Sequence, residues 1–269
     1  MNNTRAIGFF DSGIGGLTVA HAVRKILPGE SFVYFGDTAH HPYGDKSTAA
    51  IQAYAVKICD ILLRHNCKVI LIACNSASSA AYRLVKEYVG SKAEVINVID
   101  PVIDYCSKHY AGKAVGLIGT KKTVGSNAYQ KKIDKLGNDI NFKALATPLL
   151  APMIEEGFCN NRISEEIIQT YLQDRRLEGI EALILGCTHY PLIKTQIERY
   201  YQKKVEVLDS SDIVAETLLS FLKDNDLLNN SGLPPESKFY VSDYTHSFAE
   251  SARMFFMEDL NLEHYPLWE

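Results

Sequence analysis

The chain has 269 residues, enough for one large domain or two modest ones, each able to bury a core. Its 28 Lys and Arg against 32 Asp and Glu leave a formal charge of −4, too balanced for a surface built mainly to hold nucleic acid or anionic lipid. Hydrophobic residues at 46% and charged residues at 22% exclude disorder as the main state.

In chain order, Met1 to Arg5 run straight into an apolar strand, Ile7 to Asp11, without the basic flank, long apolar stretch and cleavage site of a secretory leader. Gly13 to Gly16 reads as a tight loop, and Leu17, Ala20, Val23, Ile26 and Leu27 as the apolar stripe of a helix that Pro28-Gly29 ends. There follow a strand Phe32 to Phe35, a loop around Pro42-Tyr43-Gly44 and a helix from about Ser47 to His65. A strand Val69 to Ala73, a helix from about Ser76 to Tyr88 and a strand Val95 to Ile99 complete the first half. Short Val/Ile/Phe runs alternating with helical stretches predict an α/β fold of parallel strands joined by crossover helices.

The layout then repeats. Strands at Val115 to Gly119, Ile140 to Ala146, Ala182 to Leu185 and Val205 to Asp209 follow their counterparts at a near-constant shift of about 110 residues. Unrelated α/β units can share such spacing, but the shift suggests two similar parallel-sheet lobes related by a pseudo-twofold, with a cleft between them. Residues 1–99 plus 210–269 form the first expected lobe and residues 100–209 the second. The tail predicts a helix from about Asp212 to Leu222, a polar linker from Lys223 to Ser237, a strand Phe239 to Val241 and a helix Phe248 to Phe256, packed back on the first half. Tyr265 to Glu269, with the only Trp, carries no readable signal.

The longest apolar runs, such as Val69 to Cys74, are far short of a membrane span, and the expectation is a cytoplasmic protein with reduced thiols and neither membrane nor nucleic-acid partners. The six cysteines include no Cys-x-x-Cys pair, so no structural metal is implied. Cys59, Cys67, Cys106 and Cys159 read as small apolar fillers. Cys74 and Cys187 differ: Ala73-Cys74-Asn75-Ser76 and Gly186-Cys187-Thr188-His189 each follow an apolar strand where a helix begins, the ligand side of a parallel sheet. A helix N-terminus there favours thiolate over thiol.

Asp11-Ser12-Gly13-Ile14-Gly15-Gly16 ends at the same edge, its glycines allowing backbone N–H groups to approach an anion. Its Gly-x-Gly-Gly spacing departs from a dinucleotide fingerprint and Asp37 supports a nucleotide only weakly, so a small carboxylate ligand fits as well. Asp11 can accept from an ammonium group or tune a thiol. His189 lacks the neighbouring ligands of a zinc site and reads as a proton partner of Cys187. Glu155 and Glu156 read as a solvated helical face.

Phe10-Asp11-Ser12-Gly13-Ile14-Gly15-Gly16-Leu17, Gly36-Asp37-Thr38-Ala39 with Pro42-Tyr43-Gly44, Ala73-Cys74-Asn75-Ser76-Ala77-Ser78 and Gly186-Cys187-Thr188-His189-Tyr190-Pro191 together resemble the cofactor-independent aspartate/glutamate racemase family. Ser76 stands where that family usually has threonine, and His40-His41 precede Pro42 where other residues are common. The resemblance implies interconversion of L- and D-glutamate without pyridoxal phosphate or any other cofactor, supplying D-glutamate for peptidoglycan, in a homodimer. It implies that Cys74 and Cys187 are bases on opposite faces of Cα, assisted by Asp11 and His189, with Glu155 an acid near the second thiol. Asp11, Ser12, Pro42, Tyr43, Gly44, Asn75, Ser76, Thr188 and His189 then hold the substrate. Inverting a stereocentre needs an acid/base group on each face, which one thiol cannot supply. Rival expectations are a racemase of aspartate or another small amino acid, a Cys187–His189 hydrolase, and a two-lobed dicarboxylate-binding protein.

Overall fold

The structure is a computed structural model that describes residues 4–269. Met1 to Asn3, part of the stretch read as lacking a leader pattern, lie outside the described residues. The first half contributes strands Ile7–Asp11 (β1), Phe32–Gly36 (β2), Val69–Ile72 (β3) and Glu94–Asn97 (β4). The second contributes Ala114–Gly119 (β5), Asn141–Ala146 (β6), Ala182–Gly186 (β7) and Glu206–Leu208 (β8), and the tail adds Lys238–Val241 (β9) and Leu262–His264 (β10). β1, β2 and β7 are buried along their whole length, as parallel strands covered by helices on both faces must be, which is why they read as unbroken apolar runs.

Two separate parallel sheets result. One has the order β10-β9-β2-β1-β3-β4 and the other β6-β5-β7-β8, so the first four strands of each half follow the same order. β9 and β10 extend the first sheet beyond β2, which places the tail on the first lobe. β10 escaped the sequence because three residues, two of them exposed and polar, carry no alternation.

Helices begin where the sequence supplies caps. The Ser47 side chain accepts the Ala50 N–H to start Thr48–Arg64, and Asp209 accepts from Ser211 at the start of Ser210–Asp224. That last helix packs on both Leu17–Ile26 and Asp100–His109. Leu17, Val23, Leu218 and Leu222 are fully shielded there, each worth about 1.5–3 kcal/mol of transfer from water. They belong to a core that runs without interruption from β1 in the first lobe to β7 in the second, so the lobes are joined behind the cleft and any opening must pivot about that seam. No helix among the described residues is long and apolar enough to cross a membrane.

Candidate active site

The carboxyl ends of β1, β3, β5 and β7 converge. Cys74 follows β3 as the N-cap of helix Asn75–Val89, its sulfur accepting the Ala77 N–H at 3.4 Å, and Cys187 follows β7. Both thiols line one cavity between the lobes with Ser12, Pro42, Tyr43, Gly44, Asn75, Ser76, Thr188 and His189 of the expected set, and with His41, Thr120 and Ala151 outside it. Its volume is about 30 Å³, room for roughly one water molecule and too little for a dicarboxylic amino acid, so the lobes must part to admit one.

Close approach across the cleft depends on small residues. A Cβ on Gly15 would stand 2.3 Å from Cε1 of His189, and one on Gly44 would stand 3.1 Å from Cβ of Thr120. Hydrogen bonds bridge the same seam: Thr18 Oγ1 donates to the Thr188 carbonyl at 2.8 Å, Tyr129 donates to Asn75 Oδ1 at 2.7 Å, and the Ser76 and Thr120 hydroxyls pair at 2.9 Å.

The two thiols have unlike surroundings. Cys74 can donate to Ser12 Oγ at 3.8 Å, and Asp11 lies nearby, fully buried, with Oδ2 accepting the Gly13 N–H at 3.0 Å. Burial, reinforced by the Asp11 carboxylate, pushes the Cys74 thiol up to about 12, outweighing the Ala77 N–H and Ser12. The expected dominance of the helix N-terminus is therefore corrected: in this contracted site desolvation wins. Burial also raises the Asp11 carboxyl, against the opposing pull of His189 and the Gly13 and Gly16 N–H groups.

Cys187 faces His189 Nδ1 at 3.6 Å, and His189 Nε2 lies 2.6 Å from Glu155 Oε1. Burial alone would depress the imidazole, but Cys187 and Glu155 outweigh it and hold His189 well above its ordinary range. Glu155, at the end of helix Leu150–Glu155, is not part of a solvated face: its other oxygen lies 2.8 Å from His41 Nε2. Burial would raise its carboxyl, yet hydrogen bonds from His189 and His41 hold it below the usual carboxylate range. Glu156, its neighbour, is exposed as expected.

Three buried polar atoms at this site, Asp11 Oδ1, Asn75 Nδ2 and His41 Nδ1, have no hydrogen-bond partner among the described residues. Leaving such an atom unpaired costs about 1–3 kcal/mol. Asn75 and His41 line the cavity, so the Asn75 amide presents a donor to a polar ligand, whereas Asp11 and Glu155 of the expected set are not among the lining residues. Asp37, by contrast, is committed: it accepts from Tyr43 at 2.6 Å, Ser242 at 2.8 Å and Trp268 Nε1 at 2.7 Å, with His40 Nδ1 at 3.1 Å. It braces the Tyr43 loop rather than reaching toward a nucleotide, and the uninterpreted C-terminal Trp is part of that brace. No group of three or more His, Cys, Asp or Glu side chains among the described residues is placed to hold a metal ion.

Thr120 was missed although it follows β5, the counterpart of β1, just as Ser12 follows Asp11, so the half-repeat alone could have nominated it. His41 was noticed only as a departure beside Pro42; its partner lies 114 residues away, and no local pattern reveals that.

The fold and the paired strand-end thiols define the class, an α/β amino-acid racemase. Residues 18–218 match the Asp/Glu/Hydantoin racemase family, and the chain belongs to it. It is similar to the glutamate racemase of Chlorobium phaeobacteroides, 39% identical over 94% of this chain and 93% of that one. Among solved structures, the glutamate racemase of Francisella tularensis in complex with D-glutamate superposes with a TM-score of 0.92 at 39% identity, covering 99% of both chains. The glutamate racemase of Thermus thermophilus in complex with beta-chloro-D-alanine gives 0.88 at 36%, covering 98% of both.

Proposed function

We propose that the chain interconverts L- and D-glutamate without a cofactor, using Cys74 and Cys187 as the acid/base pair on opposite faces of Cα. The observation that carries this reading is the juxtaposition, in one inter-lobe cavity, of two strand-end thiols with the unpaired Asn75 Nδ2, and with Asp11 fully buried beside Cys74 next to that lining. An amino acid offers the complementary set: an ammonium group for Asp11 and a carboxylate for the Asn75 amide and the Ser12, Ser76 and Thr188 hydroxyls. The nine-residue substrate set expected from the sequence, including Pro42, Tyr43 and Gly44, belongs to this proposal.

In each direction one sulfur starts as thiolate. It takes the α-proton, the C–H bond breaks as an S–H bond forms, and the electron pair spreads into the α-carboxylate. The opposite thiol then delivers a proton to the other face. Donors aimed at the carboxylate and exclusion of water by the contracted cleft stabilise the carbanionic species. An ammonium group seated on Asp11 brings positive charge beside Cys74 and offsets the carboxylate that holds that thiol protonated, so substrate binding itself helps free the base.

Incubation with L-glutamate in heavy water tests the reading. Deuterium at Cα and accumulating D-glutamate are expected, both abolished by Cys74→Ser or Cys187→Ser; an active Cys74→Ser would favour a Cys187–His189 hydrolase mechanism. Parallel assays with aspartate fix the side-chain length. Supply of D-glutamate to peptidoglycan, a cytoplasmic setting and homodimeric assembly are companion proposals carried by the family resemblance; analytical ultracentrifugation tests the last.

A further inference from the structure

We propose that His41 is a positioning residue of this site: reaching from the first lobe, its Nε2–H fixes Glu155 and, through it, the His189 imidazole against Cys187. The inference rests on the two-cysteine reading above and deepens it. The relay on the Cys187 face is then complete only when the lobes are together.

The geometry is that of a carboxylate held at both ends. Glu155 Oε1 meets His189 Nε2 at 2.6 Å and Oε2 meets His41 Nε2 at 2.8 Å, so each oxygen is taken by a histidine from a different lobe. An ionised carboxylate only accepts, so both Nε2 atoms carry protons and His41 Nδ1 is left free to be unprotonated. That atom is buried without a partner among the described residues and stands 3.0 Å from where a Cβ on Gly13 would lie, so the ring occupies space that only a glycine at that position leaves open. The two imidazole rings lie 6.3 Å apart, tilted by 34°, with the carboxylate between their Nε2 atoms. With a single donor Glu155 could rotate about its own side chain; with two it has one orientation, and that orientation sets His189 Nδ1 at 3.6 Å from the Cys187 sulfur. Among the described residues no carboxylate held by two histidines stands beside Cys74, where Asp11 takes a backbone N–H from Gly13 instead, so His41 acts on one face only.

The experiment compares His41→Leu, which keeps bulk and removes the donor, with His41→Gln, which keeps an N–H, after thermal melts show both folded. Losing one charge-assisted hydrogen bond should lower kcat roughly 10-fold in His41→Leu, with most of it recovered in His41→Gln. The decisive readout uses Cα-deuterated L- and D-glutamate. Impairing the Cys187 face makes its proton transfer limiting, so the substrate isotope effect rises for the enantiomer whose proton Cys187 removes. It falls for the enantiomer to which Cys187 only delivers. A general structural loss moves both alike. Wild-type rates in both variants, or isotope effects that shift together, overturn the proposal. Cys74→Ser and Cys187→Ser run alongside: if either stays active the two-thiol reading itself fails, whereas dead thiol variants with symmetric isotope effects sink only the role of His41.

Discussion

Gly15→Ala should cripple the enzyme while leaving it folded. The added methyl would lie 2.3 Å from Cε1 and 2.5 Å from Nδ1 of His189, and 2.6 Å from Thr188 Oγ1. Ordinary carbon contacts begin near 3.5 Å, so the ring or the glycine loop must yield by about 1.2 Å. The ring cannot retreat freely, because Phe255 packs edge-on against it at 5.0 Å and Glu155 holds its far nitrogen. Overpacking of this kind costs about 1–3 kcal/mol of stability, which a domain pair of this size survives. A displacement near 1 Å of a group that moves a proton costs roughly 100-fold in rate. Polarimetric assay of L-glutamate racemisation, with a thermal melt on the same preparation, separates the two effects. A kcat/KM within about threefold of the parent would refute the placement of His189 at the reacting edge.

Three further outcomes follow from the same geometry. Asp11→Asn removes the negative charge that pairs with the ammonium group and should raise KM by roughly 10-fold; it also removes the charge that pushes Cys74 up, so the pH profile of Cys74 alkylation should shift toward lower pH. Glu155→Gln bears on acid stability: a carboxyl depressed on folding stabilises above its unfolded value of about 4.3 and loses that contribution as pH falls, so the melting temperature of the parent should drop more steeply below pH 5 than that of the variant. Trp268→Phe takes one of the donors from the buried Asp37, at a cost of about 1.5 kcal/mol, which calorimetry should register as a fall on the order of 5 °C in Tm.

The strands were legible because each is an apolar run covered on both sides, and the thiols were legible because both end such runs at matching places in the two halves. The pairing of His189 with Cys187 was legible from their spacing, but the carboxylate behind it was legible only through the family resemblance. Glu155 sits beside an exposed glutamate at a helix end, and every local feature of that segment describes a solvated face; only the return of β7 beside it makes the acid an anchor for His189. Cys74 shows the converse failure. Its helix N-terminus was visible in the sequence, but the desolvation that outweighs it is a property of two lobes pressed together, which no single segment encodes. Trp268 is a third case, since its meaning lies in Asp37, 231 residues earlier.

The unlike surroundings of the two sulfurs have a kinetic consequence. L- and D-glutamate have equal free energies in water, which obliges kcat/KM to be the same in both directions but places no such condition on kcat or KM separately. In the structure burial, reinforced by Asp11, holds Cys74 as thiol, while Cys187 faces a His189 imidazole that Cys187 itself and Glu155 together raise well above its ordinary range. That arrangement is the starting state for only one enantiomer; the other requires the proton distribution to be reversed before its α-proton can be taken. The ammonium group on Asp11 can perform the reversal on the Cys74 side, so it falls to substrate binding rather than to the free enzyme. The two directions should therefore differ in KM, with the larger value for the enantiomer that Cys74 deprotonates, and progress curves followed from each pure enantiomer measure it directly. Equal KM values in both directions would mean that the free enzyme redistributes its protons before either substrate arrives.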